Sequence, residues 1–190
     1  MPQINILPKH IAELIAAGEV VERPASIVKE IMENAIDAGA DKITLEIKRG
    51  GITYIRITDN GCGIDRDNIR KAFISHATSK ISTADDLNAI CTLGFRGEAL
   101  ASIAAVSRVE VMTRGENEDI GTRYCIEGGE ETVFDDAGCP KGTTLIVRDL
   151  FYNTPARMKF LKKDVSEGNA VAAVVDRIAL SHPEVSVRFI

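Results

Sequence analysis

Four polar side chains between residues 30 and 37 are spaced so that a helix would gather them. Glu30, Glu33, Asn34 and Asp37 fall on one arc, with Ile27, Val28, Ile31, Met32, Ala35 and Ile36 on the opposite one. Asn34 stands one turn beyond Glu30, so a carboxylate and an amide can converge on one small object. Such a face could hold a metal ion and a water. An acidic stripe is also the pattern of a solvated helix face, so its chemistry depends on what other segments bring to it.

Two further stretches carry chemistry of their own. DNGCGI sets Asp59 at the end of an alternating apolar run, followed by Gly61 and Gly63, which clear side chains from above a flat group. The Asp59 carboxylate could accept from the N6 amine of adenine, whereas guanine would set O6 against it, so one residue would select one base and repel the other. DNG is also a common tight-turn sequence. In GFRGEAL, Gly94 and Gly97 could turn backbone N–H groups toward one point, with the positive end of the next helix facing the same way. That would be a phosphate site, although a glycine pair before a helix is also an ordinary turn. No GxxxxGK(S/T) occurs and no GxGxxG follows a strand, which excludes a P-loop and argues against a dinucleotide fold.

The elements that must position these residues are readable in order. HIAELIAAGEVV has a short helical period ending at Gly18. Ser26–Gly39 is predicted as a helix, with Pro24 at its start, Ser26 as a cap and Gly39 as a left-handed stop. KITLEIK and ITYIRIT alternate around Gly50 and Gly51, the pattern of an antiparallel hairpin with one buried face. Helical spacing returns over Asp65–Ala77 and Thr83–Ile90, and the apolar run after Gly97 predicts a buried helix. RVEVMTR, GTRYCIEG, ETVFDD and TTLIVRDL then read as strands, Pro155 opens a helix, another runs from about Gly168 to Ser181, and VSVRFI opens a final strand. Strands and helices that segregate predict an α+β fold, a two-layer sandwich of helices on a mixed, largely antiparallel sheet. Ending in mid-strand suggests a fragment of a longer protein, with residues 1–182 as one domain and 183–190 as the start of a second.

Composition bounds the function classes. A chain of 190 residues that is 45% hydrophobic can bury one substantial core, and no apolar run approaches the roughly 20 residues of a membrane span. Cys62, Cys91, Cys125 and Cys139 form no CxxC pair and the three histidines are scattered, so neither a zinc cluster nor a disulfide framework is suggested. A net charge of −5 limits any DNA contact to a local patch. Arg157, Lys159, Lys162 and Lys163, beside Phe151 and Tyr152, are the compact basic group, read either as a solvated helix face or as a phosphate contact.

Taken together, IAAGEVVERPASIVKEIMENAIDAGA, DNGCGI, HATSKI, GFRGEALASI, GTTL and LFYNTPARMKF resemble the motifs of the GHKL ATPase superfamily. They are more similar still to its DNA mismatch repair branch, the MutL proteins, in the same order and over about Ile4 to Leu161. The resemblance implies a GHKL (Bergerat) ATP-binding fold and an ATPase that uses ATP and Mg²⁺. It implies Glu30 as the general base that deprotonates the attacking water, Asn34 as the Mg²⁺ ligand, and Asp59 as the adenine reader with Gly61, Gly63 and Thr143. Ala38, Ile64 and Leu93 to Phe95, with Gly94 between them, are implied as further nucleotide contacts. Thr78, Ser79 and Lys80, with Arg96, Gly97, Glu98, Ala99 and Leu100, are implied as lid and phosphate loop.

Glu33 and Asp37 match no such role and read as helix-face salt bridging. The resemblance further implies an ATP-dependent dimer with a second copy, the mismatch-recognition protein MutS as partner, weak regional DNA contact, no membrane, and a bacterial cytoplasmic, nucleoid-associated setting. In the family a lysine from a following domain reaches the γ-phosphate, so without it weaker ATP binding and slower turnover are expected. A nucleotide-gated dimerisation or DNA-binding module with negligible turnover is the alternative.

Overall fold

The computed structural model describes residues 8–78 and 97–190. Seven strands form one sheet in the order β5-β4-β3-β6-β2-β1-β7. They are β1 (Lys42–Lys48), β2 (Tyr54–Asp59), β3 (Arg108–Arg114), β4 (Gly121–Glu127), β5 (Glu130–Ala137), β6 (Gly142–Arg148) and β7 (Ser186–Phe189). Every neighbouring pair is antiparallel except β1 with β7, which is parallel. The sheet is therefore mixed and largely antiparallel, with the helices α1 (Lys9–Val20), α2 (Pro24–Asp37), α3 (Arg66–Ala72), α4 (Ala99–Ala105), α5 (Pro155–Met158) and α6 (Asp164–Ser181).

Alternation along the strands sorts the two faces. Ile43 and Leu45, Ile55 and Ile57, Val109 and Val111, and Leu145 and Val147 are buried, and with Ile27, Val28, Ile31 and Met32 of α2 they make the core. The alternate positions carry ion pairs in a ladder, Arg56 to Glu46 and both Arg123 and Arg148 to Glu110. A solvated, charged second face is what an antiparallel sheet covered on one side permits.

Several boundaries differ from the sequence reading for identifiable reasons. Helix α1 runs through Gly18 to Val20; a side chain at Gly18 would collide with the Arg157 guanidinium, which donates to the Ile15 carbonyl. Ser26 is not the cap of α2; Arg23 precedes Pro24 at the first helical position, while Gly39 does adopt the expected positive φ of 74°. Helix α3 stops at Ala72, beyond which Phe73 packs on Tyr124 at 5.3 Å and His76 takes φ 66°. The segment predicted as a helix over Thr83–Ile90 lies outside the described residues.

The basic group shares no helix face, because α5 ends at Met158 and Arg157 is turned onto α1, leaving Lys159, Lys162 and Lys163 exposed. Within residues 183–190, strand β7 pairs into this sheet. The Ser186 N–H donates to the Asp41 carbonyl at 2.8 Å and that of Ile190 to Leu45 at 2.9 Å, making β7 an edge strand beside β1.

Helix α6 begins four residues before Gly168 because Glu167 anchors its first turn. That carboxylate is buried, accepts from Arg23 Nε at 3.0 Å and Nη2 at 2.9 Å, and takes the Lys162 N–H at 2.9 Å. It joins the start of α2 to the start of α6. Glu167→Ala is expected to lower stability by about 2 kcal/mol, the scale of hydrogen bonds to a charged group. Urea unfolding checks this, and a loss below about 0.5 kcal/mol, the ordinary surface range, would contradict the anchoring role.

Candidate functional site

Strand β2 ends on Asp59, and the pairing of Thr58 with Thr144 brings that end beside the start of β6. Asp59 Oδ1 accepts the Gly61 N–H at 2.9 Å and the Thr143 N–H at 3.3 Å. Burial pushes the Asp59 carboxyl up from its ordinary range, and these two backbone donors offset that only in part.

The glycines after it serve the protein's own backbone first. Gly61 is buried against Ala38, whose carbonyl accepts the Cys62 N–H at 2.9 Å, and a side chain at Gly61 would meet the Ala38 carbonyl at 2.8 Å. Gly63 has φ 74°, and a side chain there would strike the carbonyl of Arg114. Gly63 does line the cleft described below, but Gly61 lies behind its wall. The room they make is therefore mostly for close backbone packing, a different reason from the flat-group clearance read from the sequence.

Helix α2, whose C-cap Ala38 packs against this turn, forms another side. Its buried face fixes its rotation, so Glu30, Asn34 and Asp37 turn to the cleft. Glu33 is not on the wall; it pairs with Lys29 at 2.8 Å, as its salt-bridging reading expected, and Lys29 also reaches Glu30 at 3.2 Å. Desolvation of the Lys29 ammonium is outweighed by Glu33 and Glu30, so it holds its proton above the usual lysine range.

Between α2 and the Asp59 turn lies a cleft of about 1110 Å³, ample for a nucleotide-sized ligand. The sequence-predicted residues Glu30, Asn34, Ala38, Asp59, Gly63, Ile64, Thr78, Gly97, Glu98, Ala99, Leu100 and Thr143 all line it. Ser79, Lys80, Leu93, Gly94, Phe95 and Arg96 lie outside the described residues. The described residues on either side of that segment meet on the wall. His76 N–H donates to the Gly97 carbonyl at 2.9 Å, and His76 Nδ1 is 3.1 Å from Glu98 Oε1.

Sequence reasoning missed the cations Lys29 and Lys71, the amide Asn68 and, from α1, Glu19 and Val20. Lys29 and Lys71 had no signal beyond their neighbours, since a lysine on an exposed helix is ordinary. Oxygen donors from Glu30 and Asn34 one turn apart suit a hard cation that takes its remaining ligands from elsewhere. Among the described residues no group of three or more His, Cys, Asp or Glu could hold a metal by itself, and Cys62, Cys125 and Cys139 are free thiols.

Residues 22–127, more than half of the chain, match the family described as histidine kinase-, DNA gyrase B-, and HSP90-like ATPase. The chain belongs to this family. Within it the similarity is to MutL. Over 190 residues the chain is 58% identical to the DNA mismatch repair protein MutL of Agathobacter rectalis and 54% identical to that of Caldanaerobacter subterraneus subsp. tengcongensis. It spans 29% and 32% of the length of those two relatives. The fold likewise matches the Aquifex aeolicus MutL ATPase domain complexed with ADP, at a TM-score of 0.74 and 34% identity, over 90% of this chain and 60% of that one. The expected GHKL fold and the MutL resemblance both hold.

The elevated Asp59 pKa has a definite sign for stability within this family fold. A carboxyl raised above its unfolded value favours the folded state in acid, and that contribution is lost as pH rises through the folded pKa. Asp59→Asn is therefore expected to melt at a higher temperature than wild type at neutral pH, with the gap closing as the pH falls. Thermal melts across pH check this, and a less stable variant at neutral pH would contradict it.

Proposed function

We propose that the protein is the ATP-binding and ATP-hydrolysing region of a DNA mismatch repair protein of the MutL type. The observation that carries the reading is the meeting, on one cleft, of the Glu30 and Asn34 face of α2 with the Asp59 and Thr143 pair. Membership in an ATPase family and the likeness to a MutL domain that carries ADP support the same reading.

In this proposal the base enters at Asp59. The carboxylate accepts from the adenine amine, an interaction that offsets part of its desolvation and that guanine reverses. Ile64, Ala72 and Leu100 also line the cleft, as apolar groups that would limit water around the base and sugar. The phosphates then run toward Glu30 and Asn34, past the backbone at Gly97. Asn34 would hold Mg²⁺ through its amide oxygen, and the ion would supply charge neutralisation for the phosphates. Glu30 takes the proton of the water that attacks the γ-phosphate, while Lys29 restrains the Glu30 side chain.

The finer parts of the proposal concern regulation. ATP binding orders the lid that includes Thr78 to Lys80 and Arg96 to Leu100 and drives dimerisation with a second copy, and hydrolysis resets that clamp. MutS, regional DNA contact and a bacterial cytoplasmic, nucleoid-associated setting complete it. No helix among the described residues is long and apolar enough to cross a membrane. A binding module without meaningful turnover is the second reading, favoured by the Lys29 ion pair that already occupies one oxygen of Glu30.

Single-turnover hydrolysis separates the two. Glu30→Ala is expected to keep Mg-ATP binding within a few-fold while slowing hydrolysis by about 10²–10⁴, the span of a general base. An unchanged rate would remove Glu30 from the mechanism. Asp59→Asn should weaken binding of an ATP analogue by about tenfold or more, because its amide sets a donor against the adenine amine. Equal affinity by calorimetry would refute base recognition by Asp59.

A further inference from the structure

The apolar core stops at a polar row, and the cleft begins there. On the helix-facing side of the sheet, Ile57, Leu145, Val111 and Tyr124 lie across four neighbouring strands. The next row outward replaces all of them with polar side chains, Asp59, Thr143, Thr113 and Thr122. Of this row Thr113 is fully buried, at 0% exposure, and it does not line the cleft itself.

One hydroxyl there serves three partners. Thr113 Oγ1 accepts the Ile64 N–H at 2.8 Å, lies 3.1 Å from the Gly142 carbonyl to which it donates, and is 3.2 Å from Thr143 Oγ1. Ile64 belongs to the turn that leaves Asp59, and the Thr143 N–H is one of the two donors on the Asp59 carboxylate. The other donor, the Gly61 N–H, sits in the same turn as Ile64. A single buried oxygen thus ties together the two backbone segments that hold the carboxylate.

We propose that Thr113 is a positioning residue for base recognition: its hydroxyl fixes the spacing between the Gly61–Ile64 turn and Thr143, and with it the aim of the Asp59 carboxylate. The proposal rests on the reading of the cleft as an adenine-nucleotide site and adds to it the residue that sets selectivity from behind the wall. Discrimination against guanine needs Asp59 held where an O6 atom cannot back away from it. A carboxylate free to shift would weaken its contact with adenine and tolerate the wrong base. Plain packing by the Thr113 methyl group makes a different prediction, because Ser keeps the hydroxyl and loses the methyl.

Calorimetric titration of wild type, Thr113→Val and Thr113→Ser with non-hydrolysable ATP and GTP analogues tests this, with a thermal melt of each. Thr113→Val is expected to bind the ATP analogue about tenfold more weakly and to lose about tenfold of the ATP-over-GTP preference, the effect of orphaning buried partners. Thr113→Ser should stay within about twofold of wild type on both, since its hydroxyl offers the same donor and acceptors. If Thr113→Val does not fold, Thr113→Cys, of similar size but a weak hydrogen-bonding group, is expected to show the same losses. A folded Val or Cys variant that matches wild type on both measures would overturn the proposal, as would a Ser variant that falls as far as the Val variant. Wild type that binds neither analogue would overturn the nucleotide reading itself, and that arm tells the two failures apart.

Discussion

A half-buried carboxylate at the end of a central strand constrains everything around it. Asp59 is held by two backbone N–H groups that only partly offset its desolvation. Such a group must be surrounded by segments packed closely enough to keep those donors in place. Gly61 against Ala38, Gly63 against the Arg114 carbonyl and Gly142, at φ 110°, against the Asp59 carbonyl are three such approaches. The arrangement is locally unfavourable for folding and sets a partly desolvated carboxylate on the cleft, a common signature of a binding site. The sheet order makes it possible, because β6 lies between β2 and β3 and so delivers Thr143 to Asp59 on one side and to Thr113 on the other.

The α2 wall of the cleft depends on the rotation of one helix. The apolar face of α2 is fully engaged in the core, with Ile27, Val28 and Met32 at 0% exposure, so its polar face has no freedom to choose what it addresses. The result is a division of four polar residues that began alike. Glu30, Asn34 and Asp37 face the cleft, while Glu33 turns to Lys29 on the helix surface. Lys29 reaching Glu30 as well places a cation where a proton acceptor is proposed to work, so the same ion pair belongs to any account of turnover.

The sequence made the helices and strands legible wherever one periodicity ran unbroken, as in α2, β1 and β3. It misjudged ends decided by distant partners. Helix α6 starts at Asp164 because Arg23, far away in the chain, meets Glu167. Gly18 does not end α1 because Arg157 needs the space above it. Basic residues that looked like one face were divided by the end of α5 at Met158. The candidate site was legible as three separate motifs, each with an ordinary explanation, and residues from all three line one cleft. What could not be read was the polar row behind it. Thr113, Thr122 and Thr143 sit in different strands, and a threonine at a strand position is unremarkable until register lines it up with Asp59.

The central claim is that the Asp59 turn receives adenine and the Glu30 and Asn34 face of α2 receives the phosphates. A crystal structure of the protein with Mg²⁺ and a non-hydrolysable ATP analogue measures that directly. The account predicts the adenine amine within hydrogen-bond distance of Asp59 Oδ, the ion on Asn34, and the γ-phosphate nearest Glu30. A nucleotide bound in the reverse direction, or seated away from Asp59, would contradict it.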